Sequence, residues 1–594
     1  MRSRQQKPDW SHLGPDQPYA SHEGDRTQCH ISQPYGQKRP DEEKPPDITN
    51  IVTDWQDFVL AIEAIPDGAA CGPDGVPARM LKKAKIPISR LINKVFQSSL
   101  QTGEIPSILK SAYITGIHKG GSRATPGNYR PISLTSHVVK TMERVLRKAL
   151  VGYLELYNKL DPQQHGSRSG RSTLSQLLQH QDEILSALEE GANLDCIYLD
   201  FSKAYDKVDH GILLHKLKAM GISGRIGRWI RNFLLQRKQQ VLVSGHKSSI
   251  SYLRSGVPQG SVLGPMLFLL FIGDISKEVS ASTLVYVDDS KVKDKVETEE
   301  DVCKLQANLD KIYQWEVENN MKFNGDKFQV LRYGRNQDLK ESTCYFTGGM
   351  EYVIEEVDNC RDLGVIVENT AKFDLHIEKV CKKVRQKCGW VLRTFYSRDQ
   401  YFLRHMFNTL IQPHIDYCSQ LWTPQEGPQL DKIEKLLKSF TLKIPSVKLL
   451  PYWERLKVLR MNSEQRRLER YKIIYVWKIL QGLVPNCGVQ VIDAESKERL
   501  GRRCKVPSMN KQASSAVQSL RDTSFQVTGP KLFNCLPKWL RNLKTLSLEE
   551  FKEKLDLVLS QVPDEPRIGG PGGWISNSLI TQMARRPEGG SYMV

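Results

Sequence analysis

The chain has 594 residues, a formal charge of +18 and an isoelectric point near 9.2. That length gives room for roughly three to five domains and a sizeable core, and the basic balance suits a polyanionic partner rather than an acidic one. The 12 cysteines are scattered with no C-x₂-C pair, so no zinc site is signalled and the thiols read as reduced and intracellular; the N-terminus has no apolar signal segment, and the longest apolar run, Val262 to Ile272, is too short to cross a bilayer.

Residues 1 to about 50 are rich in Gln, Pro, Asp, Lys and Ser and lack the apolar content to order themselves. A helix is expected over Val52 to Ala64. The turn Cys71-Gly72-Pro73-Asp74-Gly75 then leads into a helical pattern from Met80 to Leu100. Tyr113 to Lys119 reads as a strand. It is followed by a polar loop and by Asn128-Tyr129-Arg130-Pro131-Ile132-Ser133-Leu134, so that Lys119 and Arg130 flank a glycine-containing loop. Cations so placed suit a triphosphate, with solvated surface charge as the plainer reading. Val138 to Tyr153 is an amphipathic helix. Gln164 to Thr173 is small and basic, fit for a phosphate backbone, and opens a helix from Leu174 to Glu190.

Cys196 to Leu199 forms a short buried strand that ends on Asp200, and a helix carrying Tyr205 follows. Residues 211–236 read as helical, Arg237 to Val243 and Ser249 to Arg254 as paired strands, and Ser255 to Ser261 as a bare loop opening the buried helix at Val262. Leu284-Val285-Tyr286-Val287 runs into Asp288-Asp289 and leaves through Ser290 and a polar, charged segment, which reads as strand, tight turn and return strand. Adjacent carboxylates repel, and burial worsens the repulsion; a divalent cation with hard oxygen ligands removes it, while a solvated turn is the plain alternative. Val302 to Asn320 is helical, Met321 to Leu331 a turn and strand containing Asn324 and Lys327, and Asp362 to Val367 a short strand. From Leu375 the pattern is nearly all helical (Leu375 to Phe395, Tyr401 to Tyr417, Leu430 to Phe440, Ser463 to Leu480). Residues 431–480 hold 13 Lys or Arg against 5 Asp or Glu, with aromatics interleaved, most of them expected in the core. The glycine-rich end from Pro563 reads as disordered.

Asp200 and the pair Asp288–Asp289 each close an apolar strand. If those strands are neighbours, three carboxylates meet at one sheet edge, an arrangement for two Mg²⁺ ions in phosphoryl transfer, one activating a 3′-hydroxyl and one holding a triphosphate. Lys119 and Arg130 would neutralise the leaving phosphates, and Lys327 would protonate pyrophosphate.

Taken in order, Gly72–Gly75, Asn128–Leu134, Gly166–Thr173, Asp200–Asp206, Gly256–Pro265, Tyr286–Asp289, Asn324 with Lys327, and Leu363–Gly364 resemble the reverse transcriptases of non-LTR (LINE-type, jockey/CR1-like) retrotransposons, well over about residues 70–370 and loosely to about 480. The resemblance implies an α+β fold: a right-hand polymerase with a ferredoxin-like palm, mixed α/β fingers, and a helical thumb and C-terminal region. The implied division is a disordered tail (1–50), an N-terminal extension of the fingers (51–97), a reverse transcriptase domain (98–367), a helical thumb and basic region (368–480), a C-terminal helical region (481–562) and a disordered tail (563–594). It implies RNA-directed DNA synthesis, with Asp200, Asp288 and Asp289 as catalytic residues and ligands of two Mg²⁺ (or Mn²⁺) ions. Lys119, Arg130, Tyr205, Gln259, Gly260 and Lys327 would bind dNTP and template, Tyr205 by blocking a 2′-hydroxyl. The partners would be an RNA template, a DNA primer and dNTPs, without a membrane, in the nucleus with a cytoplasmic ribonucleoprotein stage.

Two departures stand out: Ser167 where the family usually has an aromatic, and Tyr286-Val287 where this branch more often has Phe-Ala. Only about 70 residues precede the first motif, which leaves no room for the family's upstream endonuclease and suggests a fragment or a split frame. Two other readings compete: a remnant that grips RNA without catalysis, and an RNA-dependent RNA polymerase, against which Tyr205 argues.

Overall fold

The computed structural model describes residues 46–277, 279–334, 337–348, 352–424, 427–492, 503–508, 510–542, 546–566 and 576–585. The N-terminal tail expected over 1–50 lies almost wholly outside the described residues. In chain order the first nine strands are β1 (Ser111–His118), β2 (Tyr129–Thr135), β3 (Leu194–Leu199), β4 (Lys238–Val243), β5 (His246–Lys247), β6 (Ser251–Tyr252), β7 (Ser282–Tyr286), β8 (Asp289–Lys295) and β9 (Gln329–Tyr333). They form two five-stranded sheets. One runs β2-β1-β4-β5, with β6 also on β4. The other runs from the short strand Glu355–Glu356 through β9, β3 and β8 to β7.

The central strand β3 shows why its sequence is apolar without a break. Leu194 and Cys196 pack into a small cluster with Ile184, Leu331 and Tyr333, whereas Ile197 and Leu199 enter the main core with Phe58, Phe96 and Trp229. A strand covered on both faces cannot alternate with polar residues. The helix Gly264–Ile272, buried except at Pro265, lies in the same main core. Other helices are amphipathic with side-chain caps: Ser136 before His137–Leu156, Ser172 before Thr173–Glu189 and Thr298 before Glu299–Glu318.

Several expected elements divide. The helix expected over Met80 to Leu100 is two, Ala78–Lys83 and Lys85–Thr102. That over 211–236 breaks at Gly221, whose φ of +86° favours glycine, into His210–Ala219 and Gly224–Leu234. The strand expected over Asp362 to Val367 is a hairpin, Asn359–Asp362 with Val365–Glu368, turning on Leu363 and Gly364, both in left-handed conformation. The helix expected over Tyr401 to Tyr417 is interrupted by a wide turn, Phe407–Ile411, just before Pro413, which has no N–H to continue the helical ladder.

Beyond residue 374 a second core is built from helices, chiefly Asp374–Thr394, Pro428–Thr441 and Glu464–Leu480. Trp422, Tyr452, Tyr475 and Trp477 are buried in it, while Trp390 and Tyr396 are exposed. The stretch 481–562, expected to be helical, also contains a two-stranded ladder, Gln490–Ile492 with Arg503–Lys505. The tail expected to lack order carries the helix Leu579–Ala584, anchored by the buried Leu579. Arg521 joins this C-terminal part to the helix Thr173–Glu189 through Asp182 (2.6 Å) and Glu189 (2.8 Å). Among the described residues no helix is long and apolar enough to cross a membrane.

Candidate active site

β7 and β8 form a hairpin in which Tyr286 pairs with Asp289, leaving Val287 and Asp288 as a two-residue turn. Val287 has φ +60°, a left-handed conformation at the first turn position. β3 pairs antiparallel with β8 and its last partners are Leu199 and Ser290, so Asp200, the next residue, stands at the level of Asp289. The strand register therefore brings all three expected carboxylates to one end of the second sheet.

Their charges act on one another. Asp289 is pushed up to about 7 by lost hydration and by the carboxylates of Asp288, Asp362 and Asp200, with Lys291 opposing the rise. The Asp289 side chain is exposed, so the crowding of acids is the firmer cause. Burial also raises Asp288, with Asp200 adding to the rise and Arg130 and Lys119 opposing it. Those two cations are thus near enough to act on Asp288 although they belong to the other sheet. Arg130 pairs with Ile117 across the β1–β2 ladder, and the backbone N–H of Lys119 donates to Asn128 O (2.8 Å) where that ladder ends. Both are exposed.

Lys327 lies on Asp200: its Nζ donates to Asp200 Oδ2 at 2.7 Å. The peptide N–H of Asn324 donates to the Asp200 carbonyl (2.8 Å), which fixes the turn that carries Lys327. As they stand, no three acidic, histidine or cysteine side chains among the described residues are grouped closely enough to hold an ion. The expected three-carboxylate cage is thus assembled by the backbone but not closed by its side chains, with Asp200 paired to Lys327. The donor set fits a hard divalent cation nonetheless: it offers carboxylate oxygens whose mutual repulsion, recorded in the raised Asp289, a cation would relieve.

The remaining expected residues form an interlocked wall. The Tyr205 ring stacks on Phe268 of the buried helix (centroids 4.7 Å apart, 15° between planes). Its carbonyl accepts from Val257 N–H (2.8 Å). Gly256 has φ +88°, and a Cβ there would lie 2.8 Å from Asp206 O, so the loop 255–261 approaches the Tyr205 helix as only glycine allows. On its other side the carbonyl of Gln259 accepts from Ser133 N–H at 2.6 Å, and a Cβ on Gly260 would meet Ser133 O at 2.5 Å. Gln259 and Gly260 are thereby held against β2, the strand that carries Arg130.

Four features were not read from the sequence. Glu143 is buried, and its Oε2 accepts from Val262 N–H (2.7 Å) and Leu263 N–H (2.8 Å), fixing the start of the buried helix. The return strand after Asp289, expected as polar and charged, is buried: Lys291 and Lys293 are 3% and 1% exposed, paired with Asp362 and with Glu183 (2.8 Å). Arg168 and Arg171, in the stretch expected to suit a phosphate backbone, each donate from one guanidinium nitrogen to a carbonyl of their own loop, Asp161 and Pro162. Gln164 contacts the Val287 turn. Only the last has a local signal, a glutamine two residues before a glycine in a loop; the partners of Glu143 and Lys291 are more than 70 residues away in sequence.

Residues 117–367 match the family model described as reverse transcriptase (RNA-dependent DNA polymerase). The RNA-directed DNA polymerase from mobile element jockey of Drosophila melanogaster is 26% identical over 470 residues, 75% of this chain and 50% of that protein. Its counterpart in Drosophila funebris is 27% identical over 59% of this chain and 39% of its own length. The probable RNA-directed DNA polymerase from transposon BS of Drosophila melanogaster is 31% identical over 37% of this chain and 24% of its own length. The chain spans about half the length of the first of these curated relatives and less of the other two. These matches bear out the resemblance to non-LTR retrotransposon reverse transcriptases.

Proposed function

We propose that the chain is an RNA-directed DNA polymerase of a non-LTR retrotransposon, copying an RNA template from a DNA primer with dNTPs. In this reading the second sheet is the palm, the first sheet and residues 51–97 belong to the fingers, and the helices from Asp374 to Leu480 form the thumb. The observation that carries it is the register β3–β8–β7, which sets Asp200, Asp288 and Asp289 at one strand end, with Arg130 and Lys119 near enough to act on Asp288.

Asp200, Asp288 and Asp289 would hold two Mg²⁺ ions, which supply charge neutralisation to the primer 3′-oxygen and to the triphosphate. Phosphoryl transfer asks mainly for alignment and electrostatic stabilisation, and the chain's own groups provide both. Arg130 and Lys119, on the hairpin ends of the first sheet, would take the triphosphate oxygens. Lys327, exposed and paired only loosely in a solvated ion pair, would move from Asp200 to the departing pyrophosphate and give it a proton. Tyr205, braced flat against Phe268, presents a wall that cannot retreat; a ribose 2′-hydroxyl would clash with it where deoxyribose fits. Gln259 and Gly260, locked to β2, would line the place of the templating base.

The test is dNTP incorporation on a poly(rA) template with an oligo(dT) primer and Mg²⁺. Asp288→Ala with Asp289→Ala is expected to lower the rate by about 10³-fold or more, because several kcal/mol of charge stabilisation go with the ligands. Undiminished synthesis by that variant would end this assignment of the site.

A further inference from the structure

The hairpin that carries the carboxylates has a neighbour on its open side. Residues 163–165 run alongside β7: Val285 N–H donates to Gln163 O (3.1 Å), His165 N–H donates to Val285 O (2.8 Å), and Gln164 sits at the parallel bridge with Val285 between them. The Gln164 side chain is 4% exposed. Its Oε1 accepts two backbone hydrogen bonds, from Gly166 N–H at 2.7 Å and from Val287 N–H at 3.0 Å.

Val287 is the peptide that leads into Asp288. Its left-handed φ of +60° is one that a β-branched side chain resists, because Cβ crowds the backbone there. As a turn residue it lies beyond the last hairpin pair, Tyr286 with Asp289, so its N–H has no cross-strand partner in that hairpin and needs an acceptor from elsewhere. Gln164 supplies it. The fit is close: a Cβ on Gly166 would lie 2.4 Å from Val287 Cγ2 and 2.6 Å from Val287 N, so a glycine is required for the two segments to meet. His165 Nδ1 and Ser175 Oγ, 2.9 Å apart, tie the segment to the first turn of the helix Thr173–Glu189, a rigid support.

We propose that Gln164 is a positioning residue for the Asp288–Asp289 turn: by clasping the Val287 amide it holds that residue in its left-handed conformation and sets the direction in which both carboxylates leave the hairpin. The consequence for synthesis rests on the reading of those carboxylates as the reaction centre. A misdirected ligand pair damages the chemical step while leaving the surfaces that bind template–primer and dNTP intact, since small displacements at a reacting centre are amplified in rate.

Gln164→Leu removes the acceptor at similar volume. It is expected to lower kcat by about ten- to a hundredfold, with dNTP KM and template–primer Kd close to those of the wild type. Faster hydrogen–deuterium exchange is expected in the peptide spanning 284–290. Gln164→Asn, which keeps a polar head but draws the acceptor back by one methylene, should show the same pattern more weakly, and it decides the matter should the leucine variant not fold. Unchanged kcat with unchanged exchange overturns the proposal; so does a loss of kcat matched by an equal loss of template–primer affinity, which would mean collapse of the whole cleft. Asp288→Ala with Asp289→Ala is measured alongside. If that variant stays active, the reaction-centre reading fails, and the exchange of the 284–290 peptide alone still reports whether Gln164 holds the turn.

Discussion

The molecule holds two sets of crowded acids, and they differ in what surrounds them. At the strand ends, Asp200, Asp288 and Asp289 crowd one another and Asp289 is pushed up to about 7. In the helical core, Glu434 and Glu469 are pushed up to about 7 and Glu464 to about 8, in each case first by burial. Titration alone does not tell the sets apart. The helical set is largely met by protein donors: Glu434 accepts from Tyr452 Oη and from the peptide N–H groups of Glu464 (3.3 Å) and Gln465 (3.1 Å), and Glu464 Oε2 accepts from Gln412 Nε2 (2.9 Å), its other oxygen being buried without a donor among the described residues. Glu469 accepts from Leu579 N–H at 3.0 Å, stitching the last described helix to Glu464–Leu480. The carboxylates of Glu434 and Glu469 thus receive N–H groups from the first turns of other helices, Glu464–Leu480 and Leu579–Ala584, where orphan N–H groups seek acceptors. The strand-end set instead opens outward: Asp289 is exposed, and Lys327, which pairs with Asp200, is itself exposed. A raised acid marks a candidate reaction centre when its donors are missing, and a structural joint when they are present.

That contrast breaks if a glutamate of the helical set proves to matter for synthesis. Glu434→Ala strands the Tyr452 hydroxyl and two helix N–H groups in a dry core. It is expected to destabilise the helical region by about 2–4 kcal/mol, read as a lower urea midpoint, while Mg²⁺-dependent synthesis per folded molecule stays near wild type. A variant with full stability and lost synthesis would move Glu434 into the other class.

The pH dependence of stability sharpens the same contrast. Glu434, Glu464 and Glu469 bind their protons more tightly folded than unfolded, where the ordinary value is 4.5. The stability they contribute is complete below about 4.5 and is lost as pH rises through 7 to 8. Groups of opposite sign act outside that range: His376 and His414, held near 4, favour the fold less as pH falls below 6.5, and Lys472, held near 8, acts above pH 8. Between pH 6.5 and 8 the unfolding free energy, read from urea titrations, is therefore expected to fall by up to about 1.4 kcal/mol per pH unit for each carboxyl that titrates. Glu434→Gln and Glu469→Gln should flatten the slope; an unchanged slope in both would mean that these groups are already ionised in the fold.

The two sets were not equally legible. Asp200 and Asp288–Asp289 stand out in sequence because each ends an apolar run, and a run of that kind followed by acids is a local pattern. The helical glutamates look like ordinary surface acids of amphipathic helices; what buries them, Tyr452, Gln412 and Leu579, comes from other elements. Lys291 misleads for the same reason: it looks like surface charge, and only Asp362, 71 residues later, explains its burial in β8. The breaks at Ala84, at Gly221 and before Pro413 leave the 3.6-residue pattern almost intact, so periodicity ran across them. The helix Leu579–Ala584 was missed because glycine and proline dominate the stretch before it, while one buried leucine and the cap from Glu469 suffice to hold it.

The smallest effect concerns the outer face of the helical region. Trp422 and Trp477 are buried, but Trp390 and Tyr396 are 43% and 96% exposed, with Lys387 over the Trp390 ring at 5.7 Å. His414 is held down near 4, by burial and by Lys383 and Lys387, so positive charge is concentrated there. Exposed aromatics cost a soluble surface something and suit stacking on unpaired bases, with the lysines on phosphates. Trp390→Ala with Tyr396→Ala is expected to weaken RNA binding by about 1–3 kcal/mol per stacked base, measured by filter binding at fixed salt, with no change in the urea midpoint. Trp477→Ala, by contrast, removes a core side chain stacked on Phe551 and should destabilise the fold by about 3–5 kcal/mol, read as a lower midpoint. If the exposed pair lowers stability instead, the face is not a free surface but a joint, and the division between open and closed groups drawn for the acids fails for the aromatics.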